Sequence, residues 1–105
     1  MNPEALTNPI VRIALQALER GDLKAWHDHF TADAELYDDG NPRNFGKFSA
    51  EAVGHEKFTH IDRVENNGLD VYGKFHSDQW GDFDTYFKFS INKDGKIIRL
   101  DIGQA

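Results

Sequence analysis

The 105 residues, 12.0 kDa in all, provide for one domain spanning 1–105 and leave no room for multidomain machinery. Twelve Lys and Arg against 18 Asp and Glu give a formal charge of −6, which repels phosphate backbones and anionic lipid surfaces and so disfavours nucleic-acid and membrane partners. Without cysteine there are no disulfides, thiolate metal sites or Cys nucleophiles, so the fold must rest on burial; yet only 39% of residues are apolar while 12% are aromatic.

Met1-Asn2-Pro3-Glu4 lacks the basic and then apolar pattern of a leader, and no charge-free apolar stretch approaches the roughly 20 residues of a bilayer span. A cytoplasmic protein is the expectation. Asn8 as cap and Pro9 at the first helical position open a helix. From Ile10 to Leu18 only Arg12 and Gln16 are polar, a stripe that Glu19 and Arg20 continue, and Gly21 ends the helix. Its apolar surface is broad enough to lie in the crook of a curved sheet. Asp22 caps a second, shorter helix with Leu23, Trp26 and Phe30 on one side, closed by Thr31-Ala32-Asp33.

Ala34-Glu35-Leu36-Tyr37-Asp38 alternates as a first strand, stopped by the turn formers Asp39-Gly40-Asn41-Pro42. Residues 41–57 read as an irregular flap or as a brief helix starting at Ser49 and ending at Gly54. Asn67-Gly68 and Asp94-Gly95 are hairpin signals. Counting outward from Asp94-Gly95 pairs Ile91/Ile98, Phe89/Leu100 and Phe87/Ile102 on one face, with Ser90/Arg99 and Lys88/Asp101 on the other. Counting from Asn67-Gly68 pairs Val64/Val71 and His60/Phe75 on one face, with Arg63/Tyr72 and Ile61/Lys74 on the other. Two helices, a strand, a flap and two hairpins make an α+β domain, an antiparallel sheet curled over a helix, with a cone-shaped cavity lined by aromatics.

Ala17-Leu18-Glu19-Arg20-Gly21-Asp22-Leu23, Phe30-Thr31-Ala32-Asp33-Ala34-Glu35-Leu36-Tyr37-Asp38 and Asp94-Gly95-Lys96-Ile97-Ile98-Arg99-Leu100, in that order and spacing, resemble the nuclear-transport-factor-2-like superfamily and its SnoaL-like branch. The resemblance covers almost the whole chain. It implies the cystatin-like cone fold of ketosteroid isomerases and polyketide cyclases, and usually a dimer through the outer sheet face. It leaves the chemistry open, because the fold hosts isomerases, cyclases, dehydratases, hydrolases and members without catalysis.

Asp38 shares strand parity with Ala34 and Leu36, so it points inward if Leu36 does, and a carboxylate among aromatics is suited to moving protons. The resemblance places Asp38 where related enzymes hold their general base. The competing reading is that Asp38 and Asp39 cap a turn. The tyrosine and protonated aspartate that stabilise the enolate in ketosteroid isomerases fall on Ala14 and Phe87, neither of which donates a hydrogen bond, so another donor must polarise the substrate.

His60 and Asp62 share the face of Val64, Val71 and Phe75 in the counted register and form a second acid–base candidate, unless that strand end is solvated or His60 belongs to the core. The five histidines have no metal-ligand spacing, and neither a metal nor a cofactor is expected. Trp26, Phe30, Leu36, Phe58, Phe75, Phe87 and Phe89 are the expected core or pocket wall. Tyr72 and Tyr86, with Ile61 and Ile97, lie on the opposite parity and suit a sheet-to-sheet homodimer. Trp80 sits at a hairpin tip, either over the pocket mouth or against a partner. The expected function is that of a small-molecule pocket protein. It is either an acid–base isomerase, cyclase or dehydratase acting without cofactor on an apolar carbonyl or hydroxyl compound, or a binding module of the same shape without turnover.

Overall fold

Asn8 starts the first helix as its sequence predicts. In the computed structural model, which describes residues 1–105, its side-chain oxygen accepts from the amides of Ile10 and Val11 at 2.9 and 3.2 Å, satisfying two of the donors a helix start leaves open. Helix α1 runs Pro9–Arg20 and ends at Gly21, whose φ of +78° only glycine adopts without strain. A Cβ on Gly21 would press on the Cα of Gly54, so the two glycines let the end of α1 close on the loop after the third helix. Helix α2, Leu23–Asp28, is capped by Asp22, which accepts from the Ala25 amide at 3.0 Å.

Strand β1 spans Phe30–Asp38, so Thr31–Asp33, expected to close the second helix, already belong to the strand. Of the two readings of 41–57, flap or brief helix, the helix stands, longer and earlier than expected: β2 covers Asn41–Arg43 and α3 covers Phe45–Ala52, capped by Asn44 through the Lys47 amide at 2.8 Å. Ser49 lies inside α3 instead of starting it, buried, donating to the Phe45 carbonyl at 2.8 Å and accepting the indole N–H of Trp26 at 2.9 Å. Strands β3, Glu56–Glu65, β4, Asp70–Ser77, β5, Gly81–Ile91, and β6, Ile97–Gln104, complete the chain.

The sheet has the order β2-β1-β6-β5-β4-β3 and is antiparallel except where β1 lies parallel to β6, with Leu36 opposite Leu100 and Asp38 opposite Ile102. One face packs on the helices. There Leu36, Phe58, Val71, Phe75, Phe87, Phe89 and Leu100 join Val11, Ala14, Leu15 and Leu18 of α1 in one core. This is the α+β cone architecture expected. No helix is long and apolar enough to cross a membrane.

The β5–β6 register agrees with the count from Asp94-Gly95 at Phe87/Ile102, Lys88/Asp101, Phe89/Leu100 and Ser90/Arg99. It then slips by one residue, pairing Ile91 with Ile97 and leaving Ile98 41% exposed. The Asn92 side chain, accepting from the amides of Asp94 and Lys96, shapes that turn.

In the other hairpin Val64/Val71 and Arg63/Tyr72 stand as counted, but the register shifts twice further on, pairing Ile61 with Gly73, His60 with Lys74 and Phe58 with Phe75. Each shift leaves one unpaired residue on β3, Asp62 and then Thr59. Three expectations are corrected by these bulges. Ile61 turns into the core, 2% exposed, and His60 and Asp62 turn to the face away from the helices. Ile97, fully buried, is likewise core and not outer face.

Candidate functional site

A cavity of about 490 Å³ opens between the helix-covered face of the sheet and the segment from β2 to α3. Its apolar wall is Phe48 of α3, Phe75 of β4, Phe83 and Phe87 of β5 and Ile102 of β6. Trp80, in the tight turn between β4 and β5, stands at its rim, 69% exposed.

Of the four acids that border this cavity, Asp38, Asp39, Glu56 and Asp82, two stand on the inward parity of their strands, Asp38 and Glu56. Asp38 has the inward parity of buried Leu36, and its Oδ2 accepts from Arg43 Nη1 at 2.9 Å across the β1–β2 hairpin. The Arg43 guanidinium also lies 5.1 Å from the centroid of the Phe48 ring and 4.0 Å from Glu51. Asp39, the other acid of the expected turn, adopts a φ of +50° and gives its amide to the Ile102 carbonyl at 2.9 Å. Asp38 pairs with Asn41 across the turn and offers its side chain to the cavity.

Glu56 is the second carboxylate, and the sequence reading did not single it out. It begins β3 opposite Ser77, on the same face as Phe58. Burial raises its pKa above the ordinary glutamate range; the Ser77 hydroxyl, donating at 2.9 Å, and the charge of Arg43 oppose that rise, while the nearby charges of Glu51 and Asp38 add to it. The signal for it was parity: Glu56 stands two residues before Phe58 and must share its face.

The cavity takes in few of the other expected residues. Phe75 and Phe87 line it, but Trp26, Leu36, Phe58 and Phe89 are core packing, and Phe30 borders a separate groove with His27, Thr31, Phe45 and Lys96. His60 and Asp62 are not at the cavity: they sit on the far face beside Lys74, whose Nζ is 3.4 Å from Asp62 and 2.8 Å from Asp84. Two histidines that were not expected to act do lie near the Trp80 turn. Asp78 accepts from His76 at 3.0 Å and approaches His55 at 3.2 Å, and His76 meets Asp82 at 2.6 Å on its other nitrogen. The Asp82 and Asp78 bonds raise the His76 pKa above 6.5.

No family model and no curated protein sequence matches the chain. Solved structures do. An NTF2-like protein of unknown function from Cytophaga hutchinsonii superposes with a TM-score of 0.75 at 14% identity, over 100% of this chain and 95% of that one. A proposed polyketide cyclase from Xanthomonas campestris gives 0.66 at 17% identity, over 91% and 87%. The Orange Carotenoid Protein of Anabaena, in its structure binding canthaxanthin, gives 0.72 at 20% identity, with 90% of this chain spanning 35% of that longer one. The chain therefore has the NTF2-like, cystatin-like fold, shared with proteins that are mostly of unknown function.

Proposed function

We propose that the chain binds a compact, largely apolar carbonyl or hydroxyl compound in the 490 Å³ cavity and moves a proton on it, in the manner of an isomerase, cyclase or dehydratase working without a cofactor. The observation that carries this reading is the pair of carboxylates, Asp38 and Glu56, brought from β1 and β3 to one aromatic cavity with Arg43 beside Asp38. Asp38 takes a proton from the carbon next to a carbonyl, and the electron pair moves onto the carbonyl oxygen. Arg43 stabilises that oxygen in place of the hydrogen-bond donors that Ala14 and Phe87 do not supply. Glu56, whose pKa burial raises, returns a proton at the second position. An apolar occupant accords with the carotenoid bound by one structural neighbour and the polyketide chemistry proposed for another.

The test is solvent exchange. Small cyclic ketones in deuterated buffer are expected to gain deuterium beside the carbonyl, and Asp38→Asn to slow this by about 100-fold or more. Ketones that raise the melting temperature without any exchange would leave a binding module with no turnover. If the ketones do neither, the pocket reading falls.

The outer sheet face is the proposed site of self-association. Tyr37, Tyr72 and Tyr86 are half-buried there under stacked cations: the Arg63 guanidinium is 3.8 Å from the Tyr72 ring centroid, that of Arg99 is 3.9 Å from Tyr37, and Lys88 Nζ is 5.0 Å from Tyr86. Asp101 and Asp84 share this face and pair with Arg99 and Lys74, so the patch is balanced in charge and does not repel a second copy related by a two-fold axis.

A further inference from the structure

Ser77 links the cavity carboxylate to the turn that carries Trp80. Its side chain, in a residue only 1% exposed, donates its single hydroxyl proton to Glu56 Oε2 at 2.9 Å. The same oxygen accepts the amides of Gln79 at 3.2 Å and Trp80 at 3.1 Å. A hydroxyl has one proton and two lone pairs, so all three are in use, and the three partners are the cavity carboxylate and the two amides that shape the turn bearing Trp80. An ionised carboxylate polarises the hydroxyl and makes its oxygen a better acceptor for those amides. A protonated carboxyl accepts more weakly, and its own O–H competes for the lone pairs that the amides hold.

We propose that Ser77 is a positioning residue that couples the proton on Glu56 to the seating of Trp80 at the cavity mouth, so that the ionised site holds the turn bearing Trp80 in place and the protonated site loosens it. This rests on the reading of Glu56 as the proton-carrying group of the cavity. The charges of Arg43, Glu51 and Asp38 all bear on Glu56 and set where its switch lies. On the other side of β4 a second latch holds the same turn. Asp78 gives its amide to the His55 carbonyl at 3.0 Å, its carboxylate bonds His55 and His76, and His76 bonds Asp82, with Lys57 paired across from His76. That latch is strongest with His76 protonated and weakens as the pH rises, whereas the Ser77 link weakens as the pH falls. Trp80 is therefore held best between the two titrations.

Acrylamide quenching of Trp80 in the ligand-free protein tests this, because Trp26 is fully buried and Trp80→Phe supplies its background. Quenching is expected to pass through a minimum with pH and to rise by about a third on either side, since Trp80 is already 69% exposed when the turn is held. Ser77→Ala should abolish the acid limb and keep the alkaline one, Ser77→Thr should restore the acid limb, and His76→Asn should remove the alkaline limb alone. Glu56→Gln should hold quenching at the acid-limb level at every pH below the alkaline limb, and it decides the matter if Ser77→Ala does not fold. An acid limb that persists in Ser77→Ala, or a Glu56→Gln protein quenched like the wild type at neutral pH, overturns the coupling. The deuterium-exchange assay is independent of this readout, so loss of the coupling leaves the catalytic reading standing and absence of exchange leaves the coupling standing.

Discussion

Arg43 is the counter-charge of Asp38, its Nη1 2.9 Å from Asp38 Oδ2, and its positive charge also bears on Glu56. Replacing Arg43 by Met removes the cation that opposes the burial of Glu56. The Glu56 carboxyl is then expected to titrate higher than in the wild type, as read from its carboxyl carbon by NMR, and ketone exchange to fall as the oxygen-stabilising group is lost. An unmoved Glu56 titration would detach Arg43 from the site.

His76 carries a pH dependence of definite sign. Its pKa is raised in the folded protein by Asp82 first and Asp78 second, so the stabilisation is complete below the unfolded value near 6.5 and is lost as the pH rises through the folded value. The imidazole titration is expected to shift down more in Asp82→Asn than in Asp78→Asn. Denaturant unfolding should show wild type and Asp82→Asn differing more at about pH 5.5 than at about pH 8.5.

Gly103 is fixed by contact. It pairs with Tyr86 across β5 and β6, and a Cβ placed on it would overlap the Tyr86 phenol and the Asp39 carboxylate. Gly103→Ala is expected to destabilise the protein by about 1–3 kcal/mol in chemical denaturation, the usual range for forced overpacking. A neutral result would mean that the ring and the carboxylate move aside freely.

The outer-face assembly predicts a dimer mass by light scattering. Tyr72→Ala with Tyr86→Ala should weaken association by about tenfold or more, since buried aromatic anchors dominate such interfaces. A wild-type monomer at micromolar concentration would remove the proposal.

Where side chain and backbone agreed, the fold was legible in the sequence. Asn8, Pro9 and Gly21 bounded α1, and the alternation from Phe87 to Ser90 set most of the β5–β6 register. Strand β3 was misread because two-residue alternation was imposed on a segment whose apolar residues Phe58, Ile61 and Val64 recur every third position. Three-residue spacing on one face of a strand requires an extra residue in each interval, and Thr59 and Asp62 are those residues. The error carried His60 and Asp62 into the expected site, whereas Glu56 was missed because it falls in the stretch 41–57 expected as a flap or brief helix. Asp38 keeps the parity of Leu36 and borders the cavity because nothing interrupts the strand between them. That β1 pairs with β6 in parallel was not legible, since that pairing joins distant segments and leaves no local turn signal.

The bulges of β3 also govern how this sheet meets its surroundings. β3 is an edge strand, and at its irregular stretch the Asn2 side chain stands in for a neighbouring backbone, accepting the Ile61 amide at 2.6 Å and donating to the Ile61 carbonyl at 3.1 Å. The opposite edge, β2, is three residues long and has Pro42, which offers no amide, at its centre. Both borders thus carry features that discourage a further strand from adding, an irregular stretch closed by a side chain on one side and a short proline-bearing strand on the other.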